Sequence, residues 1–188
     1  ADINAALNGL SFDPNANYNG SASVQIQTND GSITQIDTVN VSINPINDAP
    51  VNTVPASQST NEDTSLVFSS SNGNAISIND IDSPIVTVTL TASNGNLSLN
   101  GINGLTFSNG DGSNDSTMTF SGTQADINAA LNGLSFAPNA NYNGSASVQI
   151  QTNDGAITQT DTVNIVINAI NDAPVNTVPA SQSTNEDT

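Results

Sequence analysis

Ile85-Val86-Thr87-Val88-Thr89-Leu90-Thr91 alternates apolar and polar along its length. Successive side chains of an extended chain point to opposite faces. Val86, Val88 and Leu90 therefore share one face, and Ile85 and Thr87 the other. Ser147-Val148-Gln149-Ile150-Gln151 reads the same way, and so does Thr162–Asn168, with Val163, Ile165 and Ile167 inward. Leu66/Phe68, Leu97/Leu99, Leu105/Phe107, Met118/Phe120 and Leu134/Phe136 are further period-two pairs. Asn-Gly dipeptides begin at Asn72, Asn94, Asn103, Asn109, Asn132 and Asn143. They tolerate positive φ and favour tight hairpin turns. Many short strands at regular spacing predict an all-β fold, an antiparallel β-sandwich. Its expected core includes Phe68, Val88, Leu90, Phe120, Phe136, Val148, Ile150, Val163 and Ile165. One stretch departs from the pattern. Thr123 is a helix cap, Asp126 suits a first turn, and Ile127, Ala130 and Leu131 share a helical face. A short helix is predicted there, ended by Asn132-Gly133.

Composition narrows the chemistry. The 188 residues include no Lys, Arg, His or Cys, and 17 carboxylates give a formal charge of -17. Without a cation the chain cannot neutralise phosphates, so nucleic acid is excluded as a partner, and anionic membranes repel it. Acid–base or nucleophilic catalysis by His, Cys or Lys is impossible, as are disulfides and thiolate or imidazole metal sites. Only hard oxygen ligands remain, and these suit Ca²⁺. No stretch approaches the roughly 18 apolar residues of a membrane helix.

The chain repeats itself. Residues 1–64 reappear as 125–188, and only six of the 64 aligned positions differ: Asp13/Ala137, Ser32/Ala156, Ile36/Thr160, Val41/Ile165, Ser42/Val166 and Pro45/Ala169. A period of 124 exceeds the roughly 20–50 residues of a solenoid repeat and matches a whole domain. The Pro-containing stretches 45–55 and 174–179 are the linker candidates. The expected organisation is the C-terminal part of one unit in residues 1–50, a complete unit in 51–174 and the start of the next in 175–188. Residues 1–50 are expected to hold three strands, near Leu10–Phe12, at 21–28 and at 34–44. They are too few to complete a core of their own.

The carboxylates sit in short loop motifs: Asn47-Asp48-Ala49-Pro50, Asn61-Glu62-Asp63-Thr64, Asp80-Ile81-Asp82 and Asn153-Asp154-Gly155. In order and spacing these resemble the cadherin-like repeats of large bacterial surface adhesins of the RTX type. Asp154-Gly155, an alternating strand and Asn171-Asp172-Ala173-Pro174 resemble the end of such a repeat. Asp80-Ile81-Asp82 resembles its D-x-D loop, and Glu62 stands at its early Glu. The resemblance covers the complete unit and both flanking parts. It implies an Ig/cadherin-like sandwich with Ca²⁺ at the junctions between units. Asn47 and Asp48 would meet Asp80, Asp82 and Asp154 at one junction, and Glu62 with Asp126 would meet Asn171 and Asp172 at the other. The linker lacks the further upstream Asp of animal cadherins, which implies fewer ions per joint. The competing reading makes these residues turn and cap formers only. Asn109 to Asp115 lacks the Glu and spacing of an EF-hand and reads as a solvated hairpin loop. Asp37 and Asp161 are expected to face solvent.

The function expected from this reading is a spacer repeat of a secreted giant adhesin, arrayed end to end and stiffened by Ca²⁺. It would be extracellular, at the cell surface and involved in cell adhesion or biofilm, with neighbouring repeats as its partners and no catalytic role. The alternative is a subunit of an extracellular filament, sheath or surface layer, with other copies of the chain as lateral partners.

Overall fold

Extended segments dominate the computed structural model, which describes residues 2–186. A short helix α1 (Ile3–Leu7) precedes a hairpin of β1 (Gly20–Asn29) and β2 (Thr34–Ile43). Then follow β3 (Val51–Thr53), β4 (Gln58–Asn61), β5 (Leu66–Phe68), β6 (Ser77–Asn79), β7 (Ile85–Ser93), β8 (Gly95–Ser98), β9 (Thr106–Asn109) and β10 (Thr117–Thr123). Helix α2 (Gln124–Leu131) leads to β11 (Leu134–Pro138), β12 (Gly144–Asn153) and β13 (Thr158–Asn168).

From β3 onward the strands form an all-β sandwich. One sheet has the order β4-β13-β12-β7-β10-β9; facing it are the three strands β5-β11-β8, with β3-β6 as a separate pair. Pairing is antiparallel throughout except between β4 and β13, which run parallel from Gln58↔Ile165 to Asn61↔Asn168. The alternation predicted from sequence is what positions the core. Val86, Val88 and Leu90 are buried while Ile85 is exposed, and Val163, Ile165 and Ile167 are buried on β13. All nine core residues expected from sequence are buried, and Met118, Leu97 and Leu134 join them. Phe107 lies on Phe120 with ring centroids 5.4 Å apart.

Helix α2 begins where β10 ends. The Thr123 hydroxyl accepts the Asp126 N–H and donates to Asp126 Oδ2 at 2.7 Å, a reciprocal cap that satisfies a first-turn donor. Ile127, Ala130 and Leu131 are buried, and Asn132-Gly133 ends the helix with Gly133 at φ 115°. The Asn-Gly steps behave differently from the hairpin expectation. Only Asn109-Gly110 lies between strands paired directly with each other, β9 and β10. The others end a helix, enter a strand or turn a loop. Their usual work is to supply positive φ, as at Gly73, Gly104 and Gly144.

Residues 2–50 hold the same local structure as their copies without the same burial. The hairpin register Gly20↔Ile43 to Asn29↔Thr34 repeats Gly144↔Ile167 to Asn153↔Thr158. Leu10–Phe12 is not a strand, contrary to the sequence expectation. Its copy β11 is a strand because β5 and β8 pair with it on both sides, and residues 2–50 contain no equivalent of either. Likewise α1 buries no residue, whereas α2 buries three.

Candidate functional site

The strand registers fix which loops share an end of the sandwich. Thr123 lies opposite Ile85, and Thr87 opposite Asn153. The loop before β7 (Asp80–Ser83), the start of α2 and the β12–β13 turn (Asp154–Ala156) therefore cluster at one end. Asn61, Asn168 and Gly144 lie at the other.

The first end receives the linker from residues 2–50. Asn47 Nδ2 donates to Asp154 Oδ2 at 2.8 Å, and the Asp48 N–H donates to Asp82 Oδ2 at 2.7 Å. The structure thus brings Asn47, Asp48, Asp82 and Asp154 to one joint across sequence separations of 107 and 34 residues. Asp80 is buried behind them. Its Oδ1 accepts the N–H groups of Asp82 (2.9 Å) and Ser83 (2.7 Å), and so shapes the loop that presents Asp82. Gln124, the first residue of α2, holds the Asp80 backbone from both sides: Oε1 accepts its N–H, and Nε2 donates to the carbonyls of Asp80 and Ser83. Asp80 Oδ2 is buried with no hydrogen-bond partner. Asn17, held at φ 58°, lines a cleft together with Asp48 and Asp80. Gln124 and Asn17 carry no motif, which is why sequence reading passes over them. The 124-residue offset offered the one available signal, by making Asn17 the copy of Asn141.

Asp154 is the best-satisfied carboxylate of the joint. The Ile157 N–H, the Asn47 amide and the Ala156 N–H, in that order, hold its carboxyl below the ordinary aspartate value, outweighing a smaller opposing effect of desolvation. Its copy Asp30 makes the same turn with Ile33 and Ser32 and is also lowered. The added Asn47 contact distinguishes the joint from the free turn.

The opposite end is built differently. Glu62 is buried; its N–H donates to the Asn168 carbonyl at 2.9 Å, its Oε1 accepts the Ile170 N–H at 2.5 Å, and Asn143 Nδ2 approaches Oε2 at 3.5 Å. The neighbouring Asp63 accepts the Asn141 N–H. Glu62 therefore pins the chain as it leaves β13. Asn171 and Asp172 follow in exposed chain, with Asn171 Nδ2 donating to the Asp172 carbonyl at 3.1 Å as Asn47 Nδ2 does to the Asp48 carbonyl. Asp126 corrects the expectation that it joins Glu62. Because α2 starts at the end of β10 that lies beside Ile85, Asp126 is at the Asp80 end, a full strand length from Glu62. There it caps α2 and packs against Gly104, where an added Cβ would overlap its carboxyl group. Asp161 also departs from expectation. It is half-buried and accepts from Asn52 Nδ2 at 3.1 Å.

The donor set at the first end suits a hard cation. All its ligand atoms are oxygens, and one of them, Asp80 Oδ2, is buried and unpaired in a chain with no cationic side chain to meet it. Among the described residues no three acidic side chains close into a metal-holding group. Three of the joint's carboxylates, those of Asp80, Asp82 and Asp154, accept protein N–H groups in the present arrangement.

No protein-family model and no curated protein matches the chain. Among solved structures, an endo-fucoidan hydrolase from glycoside hydrolase family 107 is similar over 83% of this chain at 14% identity and TM-score 0.33. The chain spans only 20% of that hydrolase. A chimeric titin Z1Z2 carrying a decorin-derived peptide is similar over 66% of this chain and 99% of its own length, at 15% identity and TM-score 0.28. At these scores neither likeness bears on function, and the all-β fold rests on the chain's own strands.

Proposed function

We propose that residues 51–174 are one spacer unit of a cadherin-like extracellular adhesin, joined end to end with its neighbours. The observation that carries this reading is the joint. Asn47 and Asp48, the last acidic motif of one unit, bond to Asp154 and Asp82 of the next, and the same motif recurs as Asn171 and Asp172. A 124-residue period, near-identical over the 64 positions that recur, with a linker-binding end is what an extender needs. Ca²⁺ would be held there by Asp48, Asp80, Asp82 and Asp154, with Asn47 as a neutral oxygen donor. When bound, the ion cancels repulsion among converging carboxylates and fixes the linker. The chain's own part is done by Gln124, which anchors Asp80, and by the Asn47–Asp154 and Asp48–Asp82 bonds, which hold the linker in register.

The test is small-angle scattering and calorimetry on a protein of two complete units, with Ca²⁺ and with chelator. The expected result is a longer maximum dimension in Ca²⁺, lost in the Asp80→Ala, Asp82→Ala double variant. An unchanged profile with no heat of binding would remove the metal from the proposal.

A further inference from the structure

Six Asn-Gly steps fall within residues 51–174, at Asn72, Asn94, Asn103, Asn109, Asn132 and Asn143. Such a step carries chemistry of its own, because glycine has no Cβ to keep its nitrogen away from the preceding side chain. The structure ties down every one except Asn103. Asn72 Nδ2 donates to the Val67 carbonyl at 3.1 Å, and the Gly73 N–H to the Ser70 carbonyl at 3.2 Å. Asn94 Nδ2 donates to the Tyr142 hydroxyl at 3.0 Å and to the Ser145 carbonyl at 2.9 Å. Asn109 Nδ2 donates to the Thr117 carbonyl at 3.2 Å. Asn132 Oδ1 accepts the Ser70 N–H and hydroxyl, and the Gly133 N–H donates to the Phe68 carbonyl at 2.8 Å. Asn143 Nδ2 approaches the buried Glu62 carboxylate at 3.5 Å, and Gly144 opens β12 opposite Ile167. Asn103 and Gly104 are both exposed, in a turn closed by the Leu105 N–H on the Ile102 carbonyl at 3.1 Å. Gly104 has φ 75°, as the third position of a type II turn requires. Neither the Asn103 side chain nor the Gly104 N–H has a hydrogen-bond partner among the described residues.

From this contrast we propose that Asn103-Gly104 is the site at which the unit modifies itself by spontaneous deamidation, and that the product weakens the start of α2. The Gly104 nitrogen gives up its proton to hydroxide and attacks Asn103 Cγ. An N–Cγ bond forms, the Cγ–Nδ2 bond breaks, and ammonia leaves with a proton returned by water. A second water opens the resulting cyclic imide at either carbonyl, leaving aspartate or isoaspartate in place of Asn103. Either product carries a negative charge that the amide lacked. The turn lies against the first turn of α2: a Cβ added at Gly104 would be 2.4 Å from Asp126 Cγ. Asp126 exchanges hydrogen bonds with Thr123 to cap α2, and Gln124 between them holds the Asp80 loop. A new carboxylate one residue from that contact repels Asp126. Isoaspartate also lengthens the turn by one backbone carbon where Gly104 has no room on the Asp126 side. Both changes strain the cap. The inference uses residues 51–174 alone and rests neither on the spacer reading nor on Ca²⁺.

The test is peptide mapping by mass spectrometry on the full chain, held folded in chelator and mildly alkaline buffer and cut with chymotrypsin at intervals. Asn103 should be modified at least about tenfold faster than Asn72, Asn94 or Asn132, where two or more hydrogen bonds must open first. In urea those bonds are gone, and the rates at all the Asn-Gly steps of residues 51–174 should converge. Asn103→Ser should abolish the fast modification within residues 51–174 and leave the melting temperature unchanged. Asn103→Asp installs the added charge directly and should melt below Asn103→Ser. Three results would overturn the proposal. One is a folded chain in which another Asn-Gly step of residues 51–174 is modified before Asn103. Another is an order of rates that is the same folded and in urea, which would assign it to local sequence. The third is an Asn103→Asp chain that melts together with Asn103→Ser, which would detach the turn from α2.

Discussion

At the residue scale Asp80 carries opposite obligations on its two oxygens. Oδ1 is spent on the N–H groups of Asp82 and Ser83, while Oδ2 is buried without a donor. A buried polar atom left unpaired costs about 1–3 kcal/mol. Replacing Asp80 by Asn keeps an oxygen for the loop and removes the charge. In chelator Asp80→Asn should therefore raise the unfolding free energy by about 1 kcal/mol. With Ca²⁺ at a hundred times its dissociation constant the unmodified protein should gain about 2.7 kcal/mol, and the variant should lose that gain. Parallel thermal melts with and without Ca²⁺ check both signs. Asp154 supplies a second prediction. Its folded-state carboxyl is held below the ordinary value of 3.8, so the linker contact is fully present above that pH and is lost as pH falls through the depressed folded value. Asn47→Ala removes the second-largest cause of the lowering. Carbon-detected NMR titration should then show the Asp154 midpoint rising, since one of the contacts that lower it is gone. An unmoved midpoint would mean that the linker does not load the joint.

At the scale of elements, β7 and β13 show why much of the fold was legible in sequence. Their alternation is local, and a period of two has only one way to bury Val86, Val88 and Leu90 together. Leu90→Ala should cost about 2–5 kcal/mol, and Thr123→Ala about 1 kcal/mol through the lost cap; urea unfolding measures both. The candidate site was legible where it follows chain order. The resemblance to cadherin-like repeats implies that a linker meets the loops of the next unit, and it was this that grouped Asn47, Asp48, Asp80, Asp82 and Asp154. Asp126 could not. Its place depends on which end of the sheet β10 finishes at, and that is a property of the register with β7 and not of any local pattern. Gln124 was invisible for a related reason, because its bonds to Asp80 cross 44 residues. Leu10–Phe12 failed in the other direction. Its sequence matches β11, but strand structure there comes from pairing with β5 and β8 and not from propensity.

At the scale of the whole molecule the charge of -17 is carried by a chain with no side-chain cation, so every carboxylate must be met by an N–H, a hydroxyl, water or an added ion. Repulsion is strongest where unit ends converge. In chelator, proteolysis with a non-tryptic enzyme should open the linkers near Pro50 and Pro174 first and leave the strands between intact; early cuts within β7 or β12 would contradict the unit boundaries. The parallel pairing of β4 with β13 has a mechanical consequence. The chain enters the unit at the joint end and leaves at the Glu62 end, yet β4 and β13 lie side by side and run the same way. Tension along the proposed array would pull these two neighbours in opposite directions along their length. The four ladder pairs and the Glu62–Ile170 pin are then loaded together in shear, whereas an antiparallel terminal pair would be unzipped one bond at a time. In the proposed end-to-end array, this pairing would let a unit bear a pull along its own long axis.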